Sequence, residues 1–488
     1  YVQSIYIKAD SAVVDECVGA ELGRQSYNWR RYEDMGVHMC GGSDCPVEPF
    51  DVLPNIYCAV TRKGKPGMEA WYPENGVTLE EAVEILQACP EQSPMPSYYE
   101  GYLHGLAGDE AAARACCLRA EHLPAPRCYP NRVEEIAILE YAIRLLGRAP
   151  RAHALLGCLL YDKKQADAAI AHWEASVQQD PGQALVHRNL AIARYNKQGD
   201  ADAALREMEQ ARRLDPGYPR LLLEYDQLAA RLGRSNAARL QLLEENLALV
   251  EQRDDLMLRY VTLLNCEGRC EEALQILLTR RFHPWEGGEG KVSAQYRYAL
   301  IRLAKDCLNR GENDRAVQLL EQSKTYPDTL GEGKLPNVPD NEADYWQGVA
   351  LRAMGREPEA AAAFLRAVSG PQEPGRVLYY NDQPSDFIYY QGLAQRAMGN
   401  EAAARKAFHK LLTYGETHLF DAVAYDFFAV SLPEIEVFAD DIALRNRQYC
   451  NYLRALGCAG LGRTSEAAEL FAGILELQPD DQGALRHA

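Results

Sequence analysis

Asp44 is the first residue with the means to do chemistry. It sits in "GVHMCGGSDCPVEPFDVLPNIYCAVTR", residues 36–62, after a short apolar run that ends in a Gly-Ser-Asp turn. A carboxylate held at the end of a strand can bind a metal and take a proton from its bound water. A hydrolytic zinc site needs about three protein ligands, usually with histidines among them. No two of the ten histidines here are two residues apart, so the paired His-x-His ligand is missing. The fourteen cysteines offer no C-x-x-C. Their close pairs are Cys40/Cys45, Cys116/Cys117 and Cys266/Cys270, in mostly apolar, helical settings that point to reduced, buried thiols in a cytoplasmic protein. The run "GGEGKV" has the Gly-Lys of a phosphate-binding loop, but Trp285 stands where that loop needs its first glycine and Val292 where it needs Ser or Thr. These residues predict no cofactor and no metal, with Asp44 an acid lacking partners.

The elements around Asp44 read as β/α: a helix from Tyr27 to Met35, a strand from Val37 to Cys40, and a helix from Pro54 to Thr61. This character stops near Ala82. From there to Ala488 the pattern is helical. "APRAHALLGCLLYDKKQADAAIAHWEASVQQDP", 149–181, has apolar and small residues at three- and four-residue spacing on two segments, split by a polar turn at Asp162–Gln165. Gly157 and Ala169 are small where two helices must approach, Trp173 is bulky, and Pro181 ends the second helix. The same offsets return at Gly348, Ala360, Phe364 and Ala367, at Gly392, Ala404 and Phe408, and at Ala455, Ala467, Phe471 and Pro479. Pro216 falls thirty-five residues after Pro181, with the extra residue assigned to a longer turn at Lys197–Asp200. Less regular hairpins are expected at 97–122, 220–246, 255–281 and 294–326.

Those offsets match the tetratricopeptide repeat, a unit of 34 residues that buries its apolar face only by stacking on its neighbours. The predicted fold is mainly α: a tetratricopeptide solenoid over 83–488, preceded by a short α/β fragment over 1–82. Phrases such as "RDDLMLRYVTLLN" and "RRFHPWEGGEGKV" resemble the C-terminal repeat region of large bacterial proteins that carry a β-rich N-terminal domain. Residues 1–82, through "YNWRRYEDMGVHMCGGSDCPVEPFDVLPNIYCAVTR" and "WYPENGVTLEEA", are similar to the C-terminal part of metal-dependent amidohydrolases. That resemblance implies that Asp44 is the barrel's metal-binding acid, with His38 the sole histidine nearby and the earlier strands missing. A natural fusion and an artificial join both fit, and the missing barrel core favours the join. The absence of an initial Met implies a trimmed or incomplete product, with no leader following Tyr1.

Lys and Arg total 52 against 70 Asp and Glu, a formal charge of −18, which disfavours nucleic acid and anionic membranes as partners. No apolar run is long enough to span a bilayer. A repeat array of this kind is expected to act as a non-catalytic scaffold for a protein or peptide on its concave face. The alternative is an amidohydrolase with a repeat appendage, should upstream sequence complete the barrel. The first helix of each hairpin lines the inner face, so Arg151, Arg188, Asn189, Tyr195 and Asn196 are the candidate peptide-binding residues. Two Gly- and Pro-rich loops, 280–296 and 326–342, interrupt the array. The first offers His283, Trp285, Glu286 and Lys291, with Trp285 expected to pack beneath it. The tyrosines between Tyr379 and Tyr390 read as core, or as an aromatic platform for a sugar or peptide.

Overall fold

The structure is a computed structural model that describes residues 2–37, 39, 52–78, 93–125, 128–285, 287–377, 382–424 and 437–488. It divides into two units: residues 1–97 with 122–128, and residues 98–121 with 129–488. The boundary expected at 82/83 lies outside the described residues.

The first unit is built from short helices, Ile7–Asp10, Val14–Val18, Ala20–Gly23, Trp29–Asp34 and Val52–Thr61. Its buried residues mix apolar side chains, Ile5, Ile7, Trp29 and Cys58, with polar ones. Arg62 is fully buried, and its guanidinium donates to the carbonyls of Trp71 (3.1 Å) and Tyr27 (2.7 Å). Trp71 and Tyr72 both donate to Asp15. The expected strand at Val37–Cys40 is not seen: Val37 and Met39 have no strand conformation, while His38 and Cys40 lie outside the described residues. A lone apolar run has no neighbouring strand here to complete its ladder. Among the described residues the chain holds no β-strand beyond a single bridge residue at Val2, so the α/β reading of this segment is corrected to short helices.

The second unit is the expected array. Antiparallel pairs follow one another: Pro150–Asp162 with Ala166–Gln179, Ala184–Ala193 with Ala201–Leu214, Pro219–Arg231 with Asn236–Glu244, and Asp254–Cys266 with Cys270–Thr279. They continue as Lys291–Asn309 with Asn313–Gln322, Asn341–Ala353 with Glu357–Ala367, Phe387–Ala397 with Glu401–His418, and Ile442–Gly460 with Thr464–Leu477. The unit is a tetratricopeptide-type solenoid. Its packing explains the repeated residues. A Cβ on Gly157 would lie 2.5 Å from the Trp173 ring, one on Gly348 2.6 Å from Phe364, and one on Gly392 2.4 Å from Phe408. At these three positions only glycine leaves room for the ring of the second helix to rest on the backbone of the first.

The short turns are helix stops. Gly355, Gly399 and Gly462 have φ of 74°, 86° and 82°. The next residue in each case donates back to an orphan carbonyl: Arg356 to Leu351 (2.9 Å), Asn400 to Gln395 (2.9 Å) and Arg463 to Cys458 (2.8 Å). That is the glycine-terminated C-cap. The extra residue before Pro216 is not in the turn alone. It is absorbed by a π-helical turn, Arg194–Gln198, which extends Ala184–Ala193. A helix Glu134–Leu146, for which the sequence reading had no counterpart, precedes the first regular pair.

The two loops interlock. Phe282 N–H donates to Thr329 (2.8 Å), and the Glu332 carboxylate accepts from Gly290 N–H (2.7 Å) and Ser293 N–H (3.0 Å). Residues 291–296 and 341–342, expected in loops, are the first turns of helices because Glu332 caps one of them. Among the described residues, no helix is long and apolar enough to cross a membrane.

Candidate functional site

The first helix of each hairpin carries polar side chains, and in the middle of the array these meet residues from the far end of the chain. The π-helical turn places Tyr195 and Asn196 side by side. Asn196 Nδ2 donates to the Val437 carbonyl at 2.7 Å, and its Oδ1 accepts from Ala439 N–H at 2.7 Å. Between these bonds Phe438 is buried to 1% exposure, with Tyr195 edge-on to it at 5.4 Å. Ala191, Ala204, Met208, Ala211, Leu221 and Leu228 complete the pocket. Arg231 reaches Asp440 at 3.6 Å.

The same pattern runs on through the following hairpins. Asn236 donates to the Pro479 carbonyl (2.7 Å). Arg239 and Arg259 approach Asp480 at 2.9 and 3.5 Å. Gln295 bonds Gln482 (2.7 Å), Lys305 donates to the Arg486 carbonyl (3.3 Å), and Glu342 accepts from Arg486 (2.5 Å). Tyr390, buried beside them, donates its hydroxyl to Glu342 (2.7 Å) and lies 2.8 Å from His487 Nε2. Residues 437–440 and 479–487, the latter ending in the short helix Gln482–His487, thus form a strap that meets the array mostly on first helices and, through Asn236 and Arg239, on the second helix Asn236–Glu244. Burial pushes the Lys305 ammonium below its ordinary value, against the pull of Glu342.

The expected site residues divide. Tyr195 and Asn196 are brought together at one place. Arg188 and Asn189 are neighbours, but both are engaged within the array. Arg188 makes a bidentate pair with Glu224 (2.6 and 2.6 Å), and Asn189 donates to Cys158 Sγ (3.5 Å). Arg151 lies apart, with its Nε donating to the Glu121 carbonyl (3.0 Å). In the loop, His283 is exposed yet tied to Asp254 through its N–H (2.9 Å) and Nδ1 (3.0 Å). Trp285 packs on the core, as expected, and a Cβ on Gly288 would meet its ring. Lys291 opens the helix Lys291–Asn309. Asp44, Glu286, Tyr379 and Tyr380 lie outside the described residues. Tyr389 and Tyr390 are core residues: Tyr389 packs 5.7 Å from the Phe408 ring, and Tyr390 is 2% exposed with its hydroxyl engaged, so these two form no open platform.

Among the described residues, the cysteines form no disulfide. Burial raises Cys117 and Cys450 to about 11 and Cys266 and Cys270 to about 12, which keeps them protonated and poor nucleophiles. Among the described residues, no group of three or more His, Cys, Asp or Glu is gathered as a metal site.

With the geometry in place, known proteins give the class. A family model described as a tetratricopeptide repeat matches residues 386–414, the pair built on Gly392 and Phe408. A second, described as the amidohydrolase family, matches residues 2–89. The chain therefore carries a tetratricopeptide-repeat array behind an N-terminal amidohydrolase fragment. Similar solved structures include YrrB, a TPR protein described as having an unusual peptide-binding site, at 14% identity and TM-score 0.29, covering 46% of this chain and 96% of that one. A tetratricopeptide repeat protein from Parabacteroides merdae matches at 16% identity and TM-score 0.27, covering 62% of this chain and 99% of that one. Naa15/Naa10 bound to HypK-THB matches at 14% identity and TM-score 0.35, covering 80% of this chain and 64% of that one. The repeat assignment rests on the helix pairs of this chain rather than on those superpositions.

Proposed function

We propose that the array is a non-catalytic scaffold, in the cytoplasm, that holds an extended segment of a protein or peptide along the first helices of its hairpins. One observation carries the reading. Asn196 grips a main-chain carbonyl and a main-chain N–H two residues apart, with 2.7 Å bonds to each. Such a contact reads main-chain groups and is indifferent to side chains, which suits recognition of polypeptide. Asn236 and Lys305 add contacts to main-chain carbonyls farther along. Arg188, Asn189 and Arg151 take a supporting part: they fix neighbouring helices so that Tyr195 and Asn196 stand in place. Fluorescence polarisation with a panel of labelled peptides tests the reading. Binding that falls at least tenfold in Asn196→Ala supports it, and a panel with no binder at all sinks it.

A second reading has the match at residues 2–89 behind it: an amidohydrolase whose barrel is completed by sequence outside this chain. Asp44 would then act on the metal-bound water. Elemental analysis of the purified chain beside Asp44→Ala decides between them. Stoichiometric zinc lost in the variant favours the hydrolase.

A further inference from the structure

Four of the regular hairpins fill the space between their two helices with a ring sixteen residues after a small residue: Trp173 after Gly157, Phe364 after Gly348, Phe408 after Gly392, and Phe471 after Ala455. All four rings are buried. The hairpin Ala184–Leu214 breaks the rule. Its small residue is Ala191, the π-helical turn adds one residue, and the corresponding position holds Met208. This hairpin has no aromatic residue of its own at that place. Phe438, more than two hundred positions away, brings a ring into the same cluster.

We propose that Val437–Asp440 is a resident stand-in for a ligand, and that its pocket is a binding site for an extended protein segment with an aromatic residue followed two positions later by an acidic one. The proposal rests on the scaffold reading above and specifies its partner. Apart from Val437, the residues packed around Phe438 lie between Ala191 and Leu232, so their backbone does not depend on the strap. Residues 437–440 themselves are in no helix, unlike Gln482–His487 at the far end of the strap. They offer a ring, a carbonyl, an N–H and a carboxylate: Phe438 in the pocket beside the Val437 side chain, Val437 and Ala439 main chain on Asn196, and Asp440 near Arg231 at 3.6 Å and Arg445 at 3.5 Å. A partner presenting the same groups in the same order competes for the site directly, and the strap lowers its apparent affinity by the fraction of time the site is filled. The strap thereby sets a threshold: only a partner that matches the aromatic and acidic positions displaces it.

The probe is a labelled, blocked hexapeptide of residues 437–442, VFADDI, titrated into the full chain. Phe438→Ala empties the pocket. Ala439→Pro removes the N–H that Asn196 accepts and leaves the pocket lining untouched. Each variant is checked for unchanged helical circular dichroism, and either one alone suffices. The expected result is binding at least tenfold tighter than in the unaltered chain. That gain is abolished by adding Asn196→Ala, or by replacing the peptide's Phe with Ala. A folded variant that gains no affinity, or an unaltered chain that binds the peptide equally well, overturns the proposal. A panel of unrelated peptides separates this from the scaffold reading. Binders insensitive to both Phe438→Ala and Asn196→Ala preserve the scaffold and overturn the strap.

Discussion

Arg239 holds Asp226 through hydrogen bonds of 2.8 and 3.1 Å, and both side chains are fully buried. Arg259 adds a third bond to the same carboxylate at 2.7 Å, and both arginines reach on to Asp480 of the strap. Asp226 is therefore the anchor on which the strap's acidic residue is read. Burial by itself would raise its carboxyl, but Arg259 and Arg239 outweigh that and hold it below the usual aspartate range.

Removing one partner should be costly. Arg239→Met leaves a buried carboxylate with Arg259 alone, and the expected loss is about 3–5 kcal/mol in urea unfolding. The double variant Arg239→Met/Asp226→Leu should lose less than the single one, since the buried carboxylate is gone and Arg259 keeps Asp480 at 3.5 Å. Because the native carboxyl is depressed, its stabilisation is full above the unfolded value and is lost as pH falls through the native one. The double variant should lack that part of the acid sensitivity. If it is the more damaged of the two, the pair is worth more than its desolvation, and this account fails.

Much of the array could be read in advance. Gly348, Gly392 and Gly157 marked their partners Phe364, Phe408 and Trp173 because a close helix approach needs a missing Cβ, and that constraint lives within one hairpin. The proline stops held for the same local reason: helices end at Gln179, Leu214 and Leu477, just before Pro181, Pro216 and Pro479. The place of Asn196 and Tyr195 near the end of a first helix was legible in the sequence. Their contacts were not legible. Val437–Asp440 and Asp480–His487 hold no helical period that points to a partner, and they meet residues up to 243 positions away. Arg188 was expected to face a ligand, but Glu224, set in the apolar run "LLLEYDQLAA", claims it first. A charged residue inside such a run signals a buried ion pair. The strand expected at Val37–Cys40 is absent at Val37 and Met39, because a short apolar run forms a strand only when a neighbour exists to pair with it.

Glu332 should matter more than its place in a loop implies. It caps Lys291–Asn309 from outside the helix, accepting N–H groups of Gly290 and Ser293 that Gly290 has no side chain to satisfy. Its charge also lies at the positive end of the helix dipole. Glu332→Ala is expected to cost about 1–2 kcal/mol, and Glu332→Gln about half as much, because the amide oxygen still accepts. Thermal melts of the three proteins measure this. Equal melting temperatures for all three proteins would show that the cap contributes nothing.

Gly392→Ala tests the ring-on-backbone contact. The new Cβ would meet Phe408 at 2.4 Å, and the ring is fully buried, so it cannot swing clear. The expected cost is about 1–3 kcal/mol. Adding Phe408→Leu should recover part of that loss by opening space at the collision. Denaturant midpoints for the two single variants and the pair give the coupling. Strict additivity would place the strain elsewhere.

The last residues of the strap give a pH dependence of known sign. His487 sits among Tyr389, Tyr390, Tyr452 and Phe471, its Nδ1 2.8 Å from the Gly483 carbonyl. Burial, then the neighbouring Arg486 and Lys305, lower it to about 4, against the opposing pull of Glu342 and the Gly483 carbonyl. The unfolded chain binds this proton near pH 6.5 and the folded chain only near 4, so stability rises with pH across that interval and is lost on acidification. Because the ring keeps some solvent contact, the expected loss between pH 7 and 4.5 is about 1–2 kcal/mol. Asp386, whose carboxyl is raised by burial, works in the opposite direction and trims the net slope. His487→Gln cannot take up the proton, so its melting temperature should fall less steeply over the same range. Parallel slopes for the variant and the unaltered chain would mean that the strap's terminus is open to water, and that the groups gathered around Glu342 do not hold it in place.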